Sequence, residues 1–481
     1  MIKRFLPVLS LVALGGCATV REPATATARW WLTTGDGTQK LAEQPPLPSG
    51  PGLATAATIH IDPDQRFQSI VGFGAAITDA SADLIHALPA DRRGALLSEL
   101  FGRHGGGLGL SFTRLTVGAS DFSPVHYSFD DSPGNLPDPE LKYYSIEPAR
   151  RAMLPTTRRA LAINPDLKVM ISPWSAPAWM KTSRSLIQGK LDPVAYPAFA
   201  AYLARTVEEF GREGVPVHVL SIQNEPDFEP DSYPGMRMSP ADRAAVIGGH
   251  LGPLFERRRI ATRILDWDHN WDKPEMPLGT LADPVARRYI AGVAWHCYGG
   301  DVAAQSKVRD AYPDKEVWFT ECSGGEWSPK YDEVLAWMTK NLVIGATRNW
   351  ARGVLLWNLA LDPKHGPHLG GCGDCRGVVT IDPASASVVS RNVEYYVLGH
   401  ASRFVRPGAR RIASDSGVSD VDTVAFLDPD NRTVAVIALN SAAAPRDVTL
   451  ATPSESFPVR IPPGSVVTVT WRSRAVRKRV E

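Results

Sequence analysis

Charge of one sign is what this chain lacks most plainly. Its 52 lysines and arginines meet 51 aspartates and glutamates, leaving a formal net charge of +1 over 481 residues. A nucleic-acid partner held by a broad basic field is thereby excluded, and the basic tail Arg472 to Arg479 reads as a solvated terminus. Cysteine is scarce, at five. No second Cys-x-x-Cys joins Cys372-Gly-Asp-Cys375 to complete a zinc set, so no metal is expected. The N-terminal apolar stretch from Phe5 to Leu14 falls well short of the ~20 residues that span a bilayer. What remains is ordinary for a globular protein: 44% hydrophobic and 21% charged residues can bury a large core, and the length allows about two or three domains.

Lys3 and Arg4 before that apolar stretch give it the form of a secretory signal, residues 1–17. The string Leu14-Gly15-Gly16-Cys17 resembles the lipobox of bacterial lipoproteins. That resemblance implies an acylated Cys17, a membrane tether outside the cytoplasm and, with Ala18 next, an outer-membrane lipoprotein facing the periplasm or the cell exterior. The alternative is an ordinary signal peptide with a chance cysteine. An Ala/Thr/Pro tract over 18–28 has the composition of a flexible tether. Of the other cysteines, Cys372 and Cys375 suit a small disulfide loop in an oxidising compartment, or else a metal clip. Cys297 and Cys322 read as buried small hydrophobes.

Trp30 to Thr33 and Thr58 to Ile61 read as short strands within a segment 29–69. Over 70–402 apolar runs alternate with longer amphipathic stretches, the pattern of repeated βα units. The expected strands are Ile70 to Gly74, Phe112 to Gly118, Lys168 to Pro173, Val217 to Ile222, Thr262 to Asp266, Gly292 to Trp295, Val317 to Thr320 and Gly353 to Leu359. Eight is the number that closes an α/β barrel. Helices are expected over Pro193 to Glu213, with Phe199, Tyr202, Leu203, Val207 and Phe210 on one face, and over Lys330 to Ala346. Within 403–475 helical periodicity gives way to short alternating runs, the pattern of a β-sandwich, which the early strands would complete. The fold class is thus a (β/α)8 barrel with a β-sandwich side domain built from both chain ends.

In such a barrel the reactive groups follow the carboxyl ends of the strands. Those positions hold Asp79, Asp121, Trp174, Asn224 and Glu225, Asp266, His296 and Tyr298, Glu321, and Trp357 and Asn358. Either glutamate alone reads equally as a surface or helix-terminal charge. Together, after strands four and seven of eight, they lie about opposite each other and can flank one glycosidic bond, one protonating the leaving oxygen and the other attacking the anomeric carbon. Aromatic rings and hydrogen-bonding amides among them suit a sugar, which has apolar faces and a rim of hydroxyls. Trp174 and Trp357 read otherwise as core, Arg114 as the partner of a structural carboxylate and His296 as a structural histidine; Asp266, Asp268 and Glu326 read as loop charges.

Several longer strings carry a resemblance over nearly the whole mature chain. They are Gln68-Ser-Ile-Val-Gly-Phe-Gly-Ala-Ala-Ile-Thr-Asp79, Ala119-Ser-Asp-Phe122, Ser172-Pro-Trp-Ser-Ala-Pro-Ala-Trp179, Asn224-Glu-Pro226 and Trp357-Asn-Leu-Ala-Leu361. They resemble glycoside hydrolase family 30, the group that includes the glucosylceramidases. The resemblance implies Glu225 as acid/base, Glu321 as the nucleophile of a retaining mechanism and Asn224 as the amide on the sugar 2-hydroxyl. It implies Asp121, Trp174 and Trp357 in the sugar pocket, with Arg114 in support; Tyr298 as a further sugar contact and His296 as a further support rest on their place after strand six. Departures fall where the leaving group would sit: Cys297 replaces a tryptophan of the animal enzymes, Leu356 an acidic residue, and the loop Gly366 to Gly377 is unlike theirs.

The expected function is a retaining β-glycosidase acting on a carbohydrate or glycoconjugate with β-glucosyl (glucosylceramide-like) or β-xylosyl groups, with no cofactor. An endo-acting β-1,6-glucanase or xylanase is the alternative within the class, and a non-catalytic carbohydrate-binding lipoprotein the alternative outside it. For the tether, a Cys17→Ala protein is expected to leave the membrane fraction on cell fractionation; one that stays there counts against acylation.

Overall fold

A computed structural model describes Met1 and residues 26–52, 56–415, 417–418 and 420–473. Cys17, with the rest of 2–25, on which the expected signal and most of the expected tether fall, lies outside the described residues. Eight parallel strands close into a barrel in chain order: Gly72–Ala76, Phe112–Val117, Lys168–Pro173, Val217–Ser221, Arg263–Asn270, Ile290–His296, Glu316–Glu321 and Ala351–Asn358, here strands one to eight. The first begins two residues later than expected and the fifth runs four residues further. Side chains alternate along a strand. One inward residue from each of strands two to eight (Phe112, Met170, Val219, Leu265, Ala294, Trp318, Leu355) packs with Val71 into a dry plug. Gly353 is required there, since a Cβ would fall 2.7 Å from the Phe112 ring and 3.3 Å from Trp318. Two residues on, the same inward period brings Arg114, Ser172, Ser221, His296, Thr320 and Trp357 to the next level up. The polar floor of the site therefore rests on an apolar core.

The helix expected from Pro193 is a short 3-10 turn, Pro193–Ala195, capped by Asp192, then an α-helix Tyr196–Arg212. Its buried residues include Phe199, Tyr202, Leu203, Val207 and Phe210, the expected face. The helix expected from Lys330 starts at Tyr331 and passes through a π-helical stretch, Thr339–Gly345. None of the described helices is long and apolar enough to cross a membrane.

The side domain draws strands from both chain ends. Thr27–Thr33 pairs antiparallel with Ser465–Arg472, so Thr27 and Ala28 belong to a strand and not to the tether. Ala57–Ser69, far longer than the four residues expected, pairs parallel with Arg446–Ala451 through its first half and antiparallel with Arg410–Ser414 further along. The second partner, Arg410–Ser414, was hidden by its charged Arg-Arg start. Helix Val393–Ser402 joins barrel to side domain. Its His400 is fully buried, with Nδ1 2.9 Å from Thr468 Oγ1 and Nε2 2.8 Å from Thr33 Oγ1.

Burial pushes His400 down to about 3, so it folds neutral. A depressed histidine contributes stability above its unfolded value of about 6.5, and that stability is lost as pH falls toward 3. His400→Ala is expected to cost about 2–3 kcal/mol at pH 7.5 through lost packing and the loss of two buried hydrogen bonds. The difference from wild type should shrink between pH 6.5 and 4. Urea unfolding of both proteins across that range checks it.

Candidate active site

The site is built around a guanidinium. Arg114, on strand two, has no solvent exposure. Its Nη1 donates to Glu321 Oε2, while Nη2 donates to Asp268 Oδ2 at 2.6 Å and Asn224 Oδ1 at 2.7 Å. Its Cζ lies 4.7 Å from the Trp174 ring centroid. One side chain of strand two thus joins groups from strands three, four, five and seven.

Asp268 is the group that strand periodicity hides. Two steps beyond Leu265 the inward position should be Trp267, but strand five bulges against strand six, pairing Trp267 with Ala294 and His269 with Trp295. Trp267 and Asp268 sit at φ 75° and 55°. The bulge turns the carboxylate of Asp268 inward, where it also accepts from Ser172 Oγ at 2.7 Å and Thr320 Oγ1 at 2.6 Å and lies 3.1 Å from His296 Nε2. Read from sequence as a loop charge, it is fully buried and drawn far below the usual carboxylate range: Arg114, His296 and Thr320 outweigh its burial. Asp266, also read as a loop charge, is buried and paired with Arg243 at 2.7 Å. Asp79 accepts from Ser123 at 2.6 Å and Tyr127 at 2.9 Å at a helix start, away from this cluster.

Glu225 follows strand four at φ 46°, its N–H donating to the Asp268 carbonyl at 3.0 Å. Glu225 Oε1 lies 3.0 Å from His296 Nδ1 and 3.9 Å from His269 Nε2. Glu321 ends strand seven and accepts from Tyr298 OH at 3.0 Å as well as from Arg114. One oxygen of each glutamate and a ring nitrogen of His296 lie within 4.8 Å of one another. Three such atoms could face a metal, but Arg114 and a protonated His296 already supply positive charge there, and an imidazolium has no lone pair to ligate.

Burial opposes the charge on His296, yet Glu321, Asp268 and Glu225 outweigh it and hold the ring up at about 9. Burial likewise opposes ionisation of Glu225, but His269, His296 and Arg114 draw it below its ordinary range. The proton of the His296–Glu225 hydrogen bond therefore rests on the imidazole in the empty site. Burial, reinforced by Glu225 and Asp268, pushes Glu321 up against the pull of His296 and Arg114. Burial and the charge of Glu321 push Asp121 up to about 8, so it is neutral at pH 7.

Trp174 and Trp357 stack on each other, centroids 5.0 Å apart and 18° from parallel. Both are nearly fully buried with Phe122, Leu361 and Cys375, so they are packed as core as well as placed at the rim. The loop that follows strand eight lies on Asp121: Leu369 N–H donates to the Asp121 carbonyl at 2.9 Å, and a Cβ on Gly371 (φ 67°) would fall 2.4 Å from the Asp121 Cβ. Around the mouth, Phe228, Tyr298 and Trp327 are exposed. Phe228 and Tyr233 share a cavity with Trp174, Asn224 and Glu225. Asp121, Trp174, Asn224, Glu225, Tyr298, Glu321 and Trp357, with Arg114 and His296, thus fall in one cluster, while Asp79 and Asp266 are held elsewhere. His269, Asp268 and Phe228 were missed.

The cysteines require a correction. Cys297 and Cys322 are not separate small hydrophobes but a disulfide between the ends of strands six and seven. Cys372 and Cys375 form the other, closing the small loop.

With this geometry, the likenesses to known proteins agree. Residues 70–405 match the glycosyl hydrolase family 30 TIM-barrel domain and 408–469 the family 30 beta sandwich domain. An endo-1,6-beta-D-glucanase of Trichoderma harzianum is 32% identical across 86% of this chain and 87% of its own. The lysosomal acid glucosylceramidase of Mus musculus is 27% identical across 87% and 84%. A solved endo-beta1,6-glucanase superposes with a TM-score of 0.85 at 30% identity, covering 94% of this chain and all of that one. Barrel, side domain and sequence together place this chain in glycosyl hydrolase family 30, among the enzymes that hydrolyse glycosidic bonds.

Proposed function

We propose that this enzyme is a retaining endo-β-1,6-glucanase. The relatives favour the second of the two expected substrate classes over the first: the endo-1,6-beta-D-glucanases of Trichoderma harzianum and Aspergillus fumigatus are 32% identical to it, the glucosylceramidases 26–28%. One separation carries the mechanism. One oxygen of Glu225 and one of Glu321 lie within 4.8 Å of each other, which supports a retaining pair, whose carboxyl groups stand about 5–5.5 Å apart, over an inverting pair at about 6.5–9.5 Å.

Glu321 is the nucleophile. Arg114 and Tyr298 both donate to it and favour its carboxylate form, against the burial that pushes its pKa up. It attacks the anomeric carbon while Glu225, taking up the proton it shares with His296, protonates the departing glycosidic oxygen. A water then enters, Glu225 removes its proton, and the ester to Glu321 is cleaved with net retention. Asn224 has its carbonyl oxygen taken by Arg114, which turns its amide N–H groups to the 2-hydroxyl. Neutral Asp121 and the Trp357 indole that bonds it hold further hydroxyls of the innermost sugar, with Trp174 beneath. Phe228, three residues after Glu225 and exposed, lies on the leaving-group side and offers its ring to the next glucosyl unit. The two disulfides suit an oxidising compartment, which supports export, with Cys17 as the proposed outer-membrane anchor.

Linear β-1,6-glucan, glucosylceramide and xylo-oligosaccharides, offered separately, should give rapid shortening of the glucan to mixed oligosaccharides. Release of glucose alone, unit by unit, would sink the endo assignment. Glu225→Gln should lower kcat about 10²–10⁴-fold. Glu321→Gly should lower it at least as far and regain turnover with azide as the α-glycosyl azide; an inverted wild-type product would refute the nucleophile. The kcat/KM profile should fall on the acid side as Glu321 protonates, above the ordinary glutamate range, and on the alkaline side between about 8 and about 9 as Asp121 and His296 lose their protons.

A further inference from the structure

Strands six and seven leave their ladder together at the catalytic residues. Their pairing runs in register from Gly292 with Glu316 to Trp295 with Phe319, then slips so that His296 meets Glu321. Backbone pairing stops there, and the Cys297–Cys322 disulfide follows at once, its Cα atoms 5.4 Å apart. The two half-cystines are interleaved with the site. Cys297 stands between His296 and Tyr298, and Cys322 follows Glu321 and accepts from the Trp357 N–H at 2.8 Å. Tyr298 has 46% of its surface exposed, so packing alone does not fix its ring. Its backbone N–H is tied to Asn270 Oδ1 at 3.1 Å and its hydroxyl reaches Glu321 Oε1 at 3.0 Å.

We propose that the Cys297–Cys322 disulfide is a positioning element of the reaction: it clamps the Tyr298 hydroxyl onto Glu321, and turnover depends on its staying oxidised. The proposal rests on the nucleophile role given to Glu321. Cys297 is partly exposed while Cys322 is buried, so a small dithiol meets Cys297 first. Two thiol–disulfide exchanges then break the S–S bond, leaving two cysteine thiols and the cyclic disulfide of the dithiol. Untied, the Tyr298 segment turns to water, and Glu321 keeps only Arg114 as a donor. A carboxylate that loses a donor is harder to ionise and worse placed. The loss therefore falls on kcat and on the acid limb, with KM little changed.

The test is a mutant cycle on the full-length oxidised protein with an aryl β-glucoside. Tyr298→Phe should lower kcat about tenfold, the scale of a hydrogen bond to a charged group. Cys297→Ser with Cys322→Ser should lower it similarly and move the acid limb to higher pH. Adding Tyr298→Phe to the serine pair should then cost less than about twofold, because the contact is already lost. Full additivity, or a serine pair with the parental kcat and acid limb, overturns the proposal. If the serine pair does not fold, dithiothreitol on the parent should lower kcat and reoxidation restore it, with thiol alkylation mapped to Cys297 and Cys322; unchanged kcat with both alkylated overturns it equally. Azide rescue of Glu321→Gly, measured alongside, separates the two assignments. Failure of the cycle with rescue intact indicts the disulfide, and failed rescue indicts the nucleophile.

Discussion

A guanidinium with no access to water is costly unless carboxylates and acceptors surround it. Arg114 meets that requirement with Asp268, Glu321 and Asn224. The shape of the active site follows largely from this solution. Each partner comes from a different strand, so the charge can be satisfied only when strands four, five and seven all end at the right height. Removing the guanidinium would leave His296 as the counter-charge that Asp268 and Glu321 share. Asp268 has further donors in Ser172 and Thr320, so it is the fixed anion of the group, while Glu321 keeps one oxygen free of the arginine. The arginine thus has one anion that is structural and one that remains available for chemistry.

Meeting that geometry bends the backbone where the carboxylates enter. Glu225, Trp267 and Asp268 all take positive φ without being glycine, a conformation that costs of order 1–3 kcal/mol each and clusters at functional sites. The bulge in strand five and the register slip between strands six and seven fall at the same level of the barrel. Below that level the plug from Phe112 to Leu355 is apolar throughout. The apolar part of the barrel thus carries the stability, and the polar top spends some of it on placing Asp268, His296 and Glu321.

That division explains what the sequence made legible. Glu225, Glu321, Trp174 and Trp357 follow apolar runs at strand ends, where a period of two and a turn signal are both visible. Asp268 is invisible to the same logic, because the bulge shifts it by one residue onto a face that periodicity gives to Trp267. Cys297 and Cys322, 25 residues apart, read as small hydrophobes since cysteine is a common buried residue; only the closeness of strands six and seven reveals the bond. The strand Arg410–Ser414 opens with two charges, and Ala57–Ser69 carries Pro63 and several polar residues in its middle, so neither looks like a continuous strand. In each case a tertiary contact overrides the local pattern.

The same division bears on substrate choice across the family. Residues proposed to hold the innermost sugar rise from barrel strands beside the arginine network, where substitution would unbalance buried charge. The rim proposed to meet the leaving group comes from loops instead: Phe228 after strand four, Trp327 after strand seven, and the clasped Cys372–Cys375 loop after strand eight, which lies on Asp121. Loops tolerate exchange far better than the polar floor does. Relatives named as endo-1,6-glucanases and as glucosylceramidases are what one expects of a scaffold in which the two glutamates proposed as the catalytic pair are pinned by buried electrostatics while the loops at the rim are free to change.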